Sequence, residues 1–392
     1  MKRNKLFYAT CLAGIAALMA VSLSACGNKE KQRGGGISHD EVKGISTPTV
    51  AADVTSPDGD PDNPEVTPGE ETPAPVENTP TPTPEPDEPS DPSQLKIYST
   101  CIVYKDTAYE MYNYVDAAAQ RYGAVVNKAK EKFGSDVNVY DIIIPLSSEI
   151  VLPADLRDDA NLSDERAAMD KLFGYMNDDI IKVDIYDALY AHRKDYIYFR
   201  TDHHWTALGA WYAYDEFCKA AGKTSVPTED FTEVRFEGFL GSFYEDCKDA
   251  AIAATPDVVI AYDPKCNNTV YVSNDLGDTS GFSWKVIADV NNRSAAAKYQ
   301  TFAAADSTFV EMTNNDLTDE SACIVIKESF GNAFVPFLLN HYQHVYVVDY
   351  RYYTGNLSDL IAKTGTKDVI FCNNISMTRN TYLIGKMETL IG

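Results

Sequence analysis

The chain has 392 residues and carries 58 Asp and Glu against 34 Lys and Arg, a formal net charge of −24. A field of that sign repels nucleic acid and anionic lipid headgroups, and no basic stripe offsets it, so the composition argues against a nucleic-acid binder. With 44% hydrophobic residues the chain can bury a large core, in one large domain or two smaller ones.

Residues 1–25 read as a targeting segment. Lys2, Arg3 and Lys5 precede an apolar run over 6–21, and Leu23-Ser24-Ala25-Cys26 resembles a bacterial lipobox. Cleavage before Cys26 would leave a lipid thioether there and hold the chain at the outer face of the cytoplasmic membrane. No other apolar run approaches the ~20 residues that span a bilayer, so the expectation is an anchor and not a crossing. Residues 26–93 are rich in Pro, Thr, Glu, Asp and Gly, with almost no aromatics and no period. Such a segment cannot bury enough apolar surface to offset its ordering entropy, and it reads as a disordered, partly polyproline-like stalk.

The folded domain is expected over 94–392. Residues 95–104 have strand composition, 109–133 follow a helical period, and 137–146 form a strongly apolar strand. This β-α-β order calls for a parallel sheet with covering helices. A second helix is predicted over 163–176 with Ser163 as cap, a strand over 180–186, and a helix from Thr206, its cap, to Gly222. From about 225 to 315 short alternating runs at 258–262, 269–273, 284–290 and 307–312 lie between turn residues and predict a β-rich insertion. Regular α/β texture then returns, with strands at 322–327, 344–348 and 368–372 and helices at 330–340, 357–363 and 381–391. Cys101, Cys218, Cys247, Cys266, Cys323 and Cys372 are scattered without zinc-ligand spacing, and Cys247 with Cys266 could form a bridge. No metal or cofactor is expected.

Two stretches carry chemistry. In Thr201-Asp-His-His-Trp-Thr206, alternation along an extended segment puts Asp202 and His204 on one side and turns His203 away. A basic histidine needs a carboxylate to fix its tautomer and to stabilise the imidazolium it becomes, so His204 is the better base. The alternative is that Asp202 caps the helix and both histidines are structural. Ser329 follows an apolar strand and opens a helix, where backbone N–H groups can stabilise an oxyanion, and Gly331 relieves crowding there. Equally, Ser329 could be a plain helix cap. His192, His341 and His344 have no partner at ligand spacing and read as surface or packing residues.

Thr201-Asp-His-His-Trp-Thr206 with Gly209 and Ala210, followed by Glu328-Ser-Phe-Gly-Asn-Ala-Phe334, resembles the DHHW protein family. Pro145-Leu-Ser-Ser-Glu149, Gly238-Phe-Leu-Gly-Ser-Phe243 and Asp349-Tyr-Arg-Tyr-Tyr353 add to the likeness, which spans about 97–390. Wider relatives are the SGNH-hydrolase-like proteins of alginate O-acetylation, of the AlgJ and AlgX type. The resemblance implies an SGNH-hydrolase-like doubly wound, mainly parallel sheet with helices on both faces. It also implies a triad of nucleophile Ser329, base His204 and orienter Asp202, with Asn373 or Asn374 as an oxyanion-hole asparagine beside Gly331. The implied activity is serine O-acyl transfer or ester hydrolysis on cell-surface or exported polysaccharide, with a membrane-bound O-acyltransferase as acetyl donor. The chain departs from the family's wider pattern at Lys327-Glu-Ser329, where SGNH enzymes show Gly-Asp-Ser, so Glu328 adds bulk and charge beside the nucleophile. That departure keeps open a non-catalytic glycan-binding or scaffolding lipoprotein; the anchor and linker would also fit a solute-binding lipoprotein, to which the Asp-His-His-Trp block lends no support.

Overall fold

The computed structural model of the protein describes residues 90–392, so the targeting segment, Cys26 and all but the end of the expected stalk lie outside the described residues. Among those described, no helix is long and apolar enough to cross a membrane.

The domain opens with a small antiparallel sheet of β1 (Leu95–Ile97), β2 (Cys101–Tyr104) and β3 (Thr107–Glu110). The single strand expected over 95–104 is two strands, and the helix expected from 109 gives up its first residues to the third. Lys105, at a left-handed φ of 56°, turns the chain back on itself, and the helix α1 (Asp116–Phe133) starts only afterwards. Next come β4 (Asn138–Ile144), α2 (Ser147–Ile150), α3 (Glu165–Gly174), β5 (Ile181–Val183), α4 (Tyr186–Ala191) and α5 (Ala207–Ala220). The cap of α3 is Asp164, which accepts the Ala167 N–H; Ser163 instead accepts the Tyr114 N–H. Thr206 does cap α5, accepting the Gly209 N–H at 3.3 Å.

Residues 225–315 divide between two sheets. β6 (Thr232–Phe239) and β7 (Asp257–Asp263) form a separate ribbon bracketing the short helices α6 (Ser242–Cys247) and α7 (Ala250–Ala254). β8 (Asn268–Ser273), β9 (Phe282–Trp284) and β10 (Phe309–Asn314) join the main sheet. The remaining elements are β11 (Ala322–Lys327), α8 (Gly331–Leu338), β12 (His344–Asp349), α9 (Leu357–Thr364), β13 (Asp368–Asn374) and α10 (Thr381–Ile391).

The eight strands of the main sheet run β5-β4-β13-β11-β12-β10-β8-β9. The first five are parallel, and β10, β8 and β9 extend them in antiparallel fashion. Every residue of β11, and all of β13 after Asp368, is buried, which is why these strands read as continuous apolar runs without alternation. Helices α1, α3, α9 and α10 pack together on one face, and α4, α5 and α8 on the other. The result is a doubly wound, mainly parallel α/β sheet with a β-rich insertion. The parallel strands wind outward in both directions from β4 and β11, so a crevice forms at the carboxyl ends of β11 and β13, the usual place for a ligand in such sheets.

All six cysteines of the described residues are free thiols. The Cys247–Cys266 bridge that the spacing allowed is not formed, because the two belong to different packing clusters: Cys247 sits against Cys101, Phe243 and Ile252, and Cys266 borders the main core.

Candidate active site

The loop carrying Asp202 is a tight hairpin. Tyr198 and Trp205 pair as an antiparallel bridge, and the Phe199 N–H donates to the His204 carbonyl at 3.2 Å. Asp257, fully buried at the start of β7, accepts the backbone N–H groups of Arg200 and Thr201 and fixes the near side of the loop. Because the segment is bent, alternation does not set its geometry. Asp202 and His204 meet through a local turn instead: Asp202 Oδ1 accepts the His204 backbone N–H at 3.0 Å and its ring Nδ1–H at 2.6 Å. Asp202 Oδ2 accepts the Ser242 N–H at 2.8 Å from the first residue of α6. Burial alone would raise the Asp202 carboxyl, but the imidazoles of His204 and His203 and these hydrogen bonds outweigh it and hold the group well below the usual carboxylate range.

Across the crevice, β11 ends at Lys327 and α8 begins at Gly331, which leaves Glu328, Ser329 and Phe330 to make the turn. The Ser329 Oγ–H donates to His204 Nε2 at 2.8 Å. Asp202, His204 and Ser329 thus form one connected line, with the imidazole tautomer set by Asp202.

Three further side chains, of which Tyr299 carried no signal in the sequence, hold this line in place. Trp205, fully buried, donates its indole N–H to the Phe330 carbonyl at 2.9 Å and so ties the histidine loop to the serine turn. Tyr299 stacks on the His204 ring, with centroids 3.9 Å apart and 11° between planes, and donates its hydroxyl to the Ser329 carbonyl at 3.1 Å. Glu328 is a brace: Oε1 accepts the Asn374 N–H at 3.0 Å and Oε2 the Phe330 N–H at 3.1 Å, with the Ser329 hydroxyl 3.3 Å away. Burial raises its carboxyl, against the lowering effect of Arg351 and of those two N–H groups. The bulk expected to disturb the serine turn instead links it to the end of β13.

The oxyanion candidates separate by strand alternation. Asn374 borders the cleft with Ser329, Glu328 and Arg351, while Asn373 points through the sheet and donates to the Tyr122 hydroxyl at 3.0 Å. The Gly331 N–H is taken by the Glu328 carbonyl at 3.0 Å. A Cβ at Gly331 would come within 2.6 Å of Lys327 Cβ, so the glycine answers to packing behind the turn.

His203 is not turned away as an extended strand would have it. Its ring packs 3.9 Å from that of His204, its Nδ1 lies 2.5 Å from Ser242 Oγ, and it lines the cleft. Asp202, His203 and His204 offer donor atoms within 4.8 Å of one another. Both nitrogens of His204 are already engaged, one by Asp202 and one by Ser329, so a cation there would have to break those contacts. The other histidines lie elsewhere: His192 pairs with Asp195, His341 accepts the Tyr214 hydroxyl with its imidazole pushed down to about 4 by burial, and His344 sits on β12.

Beneath the turn lies a buried ion network. Lys327, fully buried, contacts Asp349 Oδ2 at 3.0 Å, and Arg351 grips both oxygens of Asp349 and reaches Asp306 at 2.9 Å. Asp306 in turn accepts the Asn332 amide at 3.0 Å. It is presented by Ala303, Ala304 and Ala305, three successive alanines with φ of 48°, 60° and 56°. A left-handed conformation costs a non-glycine residue roughly 1–2 kcal/mol, so this segment is held by its surroundings.

The family model described as "DHHW protein" matches residues 91–348. Among solved structures, a DHHW family protein from Eubacterium siraeum is 27% identical with a TM-score of 0.67, over 74% of this chain and 95% of that one. Bacillus cereus PatB1 with a sulfonyl adduct is 18% identical with a TM-score of 0.59, over 71% of this chain and 95% of that one. A second PatB1 structure is likewise 18% identical, with a TM-score of 0.57, over 72% of this chain and 96% of that one. Comparison with curated proteins finds no match.

Proposed function

The chain belongs to the DHHW protein family, and from the site just described we propose that it is an SGNH-like serine O-acyltransferase or esterase working through an acyl-enzyme on cell-surface or exported polysaccharide. The observation that carries this is the unbroken line from Asp202 Oδ1 to His204 Nδ1 at 2.6 Å and from His204 Nε2 to Ser329 Oγ at 2.8 Å. A hydroxyl paired with an imidazole that a buried carboxylate orients is the arrangement nucleophilic acyl chemistry requires. Ser329 Oγ attacks the acyl carbon as its proton passes to His204 Nε2, and Asp202 stabilises the imidazolium. The Ser329 N–H and the Asn374 side chain stabilise the oxyanion. When the tetrahedral species collapses, the leaving alcohol takes the proton from His204 and the acyl group stays on Ser329. A sugar hydroxyl or water then gives its proton to His204, attacks the acyl carbon and frees Ser329, which recovers its proton from His204.

Cys26, as a lipid anchor, and residues 26–93, as a stalk, would place the domain 94–392 outside the cytoplasmic membrane. A membrane-bound O-acyltransferase would supply acetyl groups there, since acetyl-coenzyme A is confined to the cytoplasm. The TM-scores of 0.59 and 0.57 against the PatB1 structures support a shared fold, and one of them was solved with a sulfonyl adduct. The test is hydrolysis of p-nitrophenyl acetate by the purified protein and by its Ser329→Ala and His204→Ala variants. Each variant should lose about 10³-fold or more in kcat. Equal rates in all three would leave a glycan-binding or scaffolding module without this chemistry.

A further inference from the structure

The space around Ser329 continues past the triad. The cleft bordered by Ser329, Asn374 and Arg351 encloses about 280 Å³, and at Glu110 and His203 it adjoins a second depression of about 610 Å³. The first is suited to a small acyl group. The second falls within the range of sites that bury most of a larger ligand. Besides the shared residues it is lined by Thr100, Asn113, Ser242, Phe243, Asp246 and Arg379.

We propose that this second pocket is the acceptor subsite and that it takes a non-acidic sugar unit, discriminating against a uronate; the inference rests on the acyl-transfer reading above. Its position follows from the chemistry. An acceptor hydroxyl must deliver its proton to His204 Nε2, and His203, whose ring lies 3.9 Å from that of His204, forms the boundary between the two spaces. A sugar ring in the outer pocket therefore has its reacting hydroxyl directed inward past His203 and Glu110.

The charges decide which sugar. Glu110 and Asp246 place two carboxylates on the pocket and Arg379 places one guanidinium. Arg379 donates to the Met111 carbonyl at 3.1 Å and lies 5.7 Å from the Tyr112 ring, contacts that fix it as a hydrogen-bond donor at the pocket wall. The other guanidinium nearby, Arg351, is neutralised by Asp349 and Asp306. A uronate carboxylate would therefore meet a local excess of negative charge within a chain of net charge −24. Sugar hydroxyls and amides, by contrast, find acceptors in Glu110 and Asp246 and a donor in Arg379, with the Phe243 ring on the same wall.

The test uses the full chain charged from p-nitrophenyl acetate, with an N-acetylglucosamine oligomer or an oligouronate as acceptor. The readout is the ratio of acetylated sugar to free acetate. Both products come from one acyl-enzyme, so their ratio does not depend on the rate of acylation. At low salt the ratio should favour the neutral oligomer by about tenfold, and the preference should shrink as salt is added. Arg379→Gln should lower the ratio for the neutral oligomer several-fold, and Asp246→Asn should narrow the gap between the two acceptors. Equal or better use of the uronate, or ratios indifferent to both substitutions, would overturn the proposal. If no Ser329-dependent turnover is found, the acyl-transfer reading fails by itself. The pocket is then judged by titrating the Ser329→Ala protein with the neutral oligomer. Binding that Arg379→Gln weakens upholds the subsite, and absence of binding overturns it.

Discussion

Glu328 is where this chain departs from the Gly-Asp-Ser pattern, and Glu328→Gln tests whether the departure is a brace or a disturbance. The carboxylate accepts from Asn374 N at 3.0 Å through one oxygen and from Phe330 N at 3.1 Å through the other. A glutamine of the same shape keeps one acceptor and turns an NH₂ donor toward the second N–H. Both amides are buried, and an orphaned buried donor costs about 1–3 kcal/mol. The substitution also removes a buried charge, which offsets part of that loss, since burial raises the Glu328 carboxyl while Arg351 lowers it. The net expectation is a destabilisation of about 1–2 kcal/mol. Activity should suffer more than stability, because the same two hydrogen bonds hold Ser329 against the end of β13. A displacement near 1 Å costs about 100-fold, so kcat for aryl acetate should fall roughly 10- to 100-fold. Urea unfolding and steady-state kinetics on the same preparation measure both. Stability within about 0.5 kcal/mol of the parent, together with turnover within about twofold, would refute the brace.

Three further outcomes follow from the geometry. Gly241→Ala should impair turnover, because a Cβ there would overlap the Asp202 carboxylate; if Asp202 must stay in place, kcat drops at least about tenfold while the protein remains folded, as seen by kinetics and circular dichroism. Asp202→Asn should remove a source of acid lability. The folded carboxyl titrates below its unfolded value, so its stabilisation is present above the ordinary carboxylate pKa and is lost as pH falls below about 4; the variant's unfolding free energy should vary less across that acid limb. Asp141 has the opposite sign. Burial pushes its carboxyl up to about 7, so the stability it contributes is fully present below its ordinary value and is lost as pH rises toward 7. Asp141→Asn should flatten that descent and make the protein more stable than the parent at pH 8, by on the order of a few kcal/mol, as read by thermal unfolding across pH.

Much of the plan was legible along the chain. The strands at 322–327 and 344–348 and the cap at Thr206 could be read from apolar runs and a hydroxyl before a helical period, and they stand at Ala322–Lys327, His344–Asp349 and Thr206. The pairing of Asp202 with His204 was read for a different reason than the one the structure displays: a turn closed by the His204 N–H, not alternation in a strand. What acts through the sheet was not encoded locally: β13 inserts between β4 and β11, which brings Asn374 beside a serine 45 positions earlier, and only the family resemblance, not any local pattern, offered Asn373 or Asn374 for that place. Tyr299 lies in an irregular 3₁₀ stretch and is one of 25 tyrosines, so only the ring stacked on His204 distinguishes it. Ser242 opens a helix of six residues, too short to announce itself by period.

The lysine of Lys327-Glu-Ser329 acquires a reason from its neighbours in the sheet. Parallel pairing of β11 with β12 sets Lys327 directly beside Asp349, and both are fully buried. An isolated pair of that kind would gain little over apolar residues, since desolvation consumes most of the attraction. Here Arg351 and Asp306 complete a set of two cations and two anions with no net charge. Arg351 then stands at the cleft wall beside Ser329 with its charge balanced by two carboxylates. Asp306 reaches that position only through the three left-handed alanines before it. Their strain is retained because releasing it would leave Arg351 with a partner missing and Asn332, on the first turn of α8, without its acceptor. The backbone cost is thereby coupled to the charge balance, and that balance in turn holds the turn that presents the nucleophile.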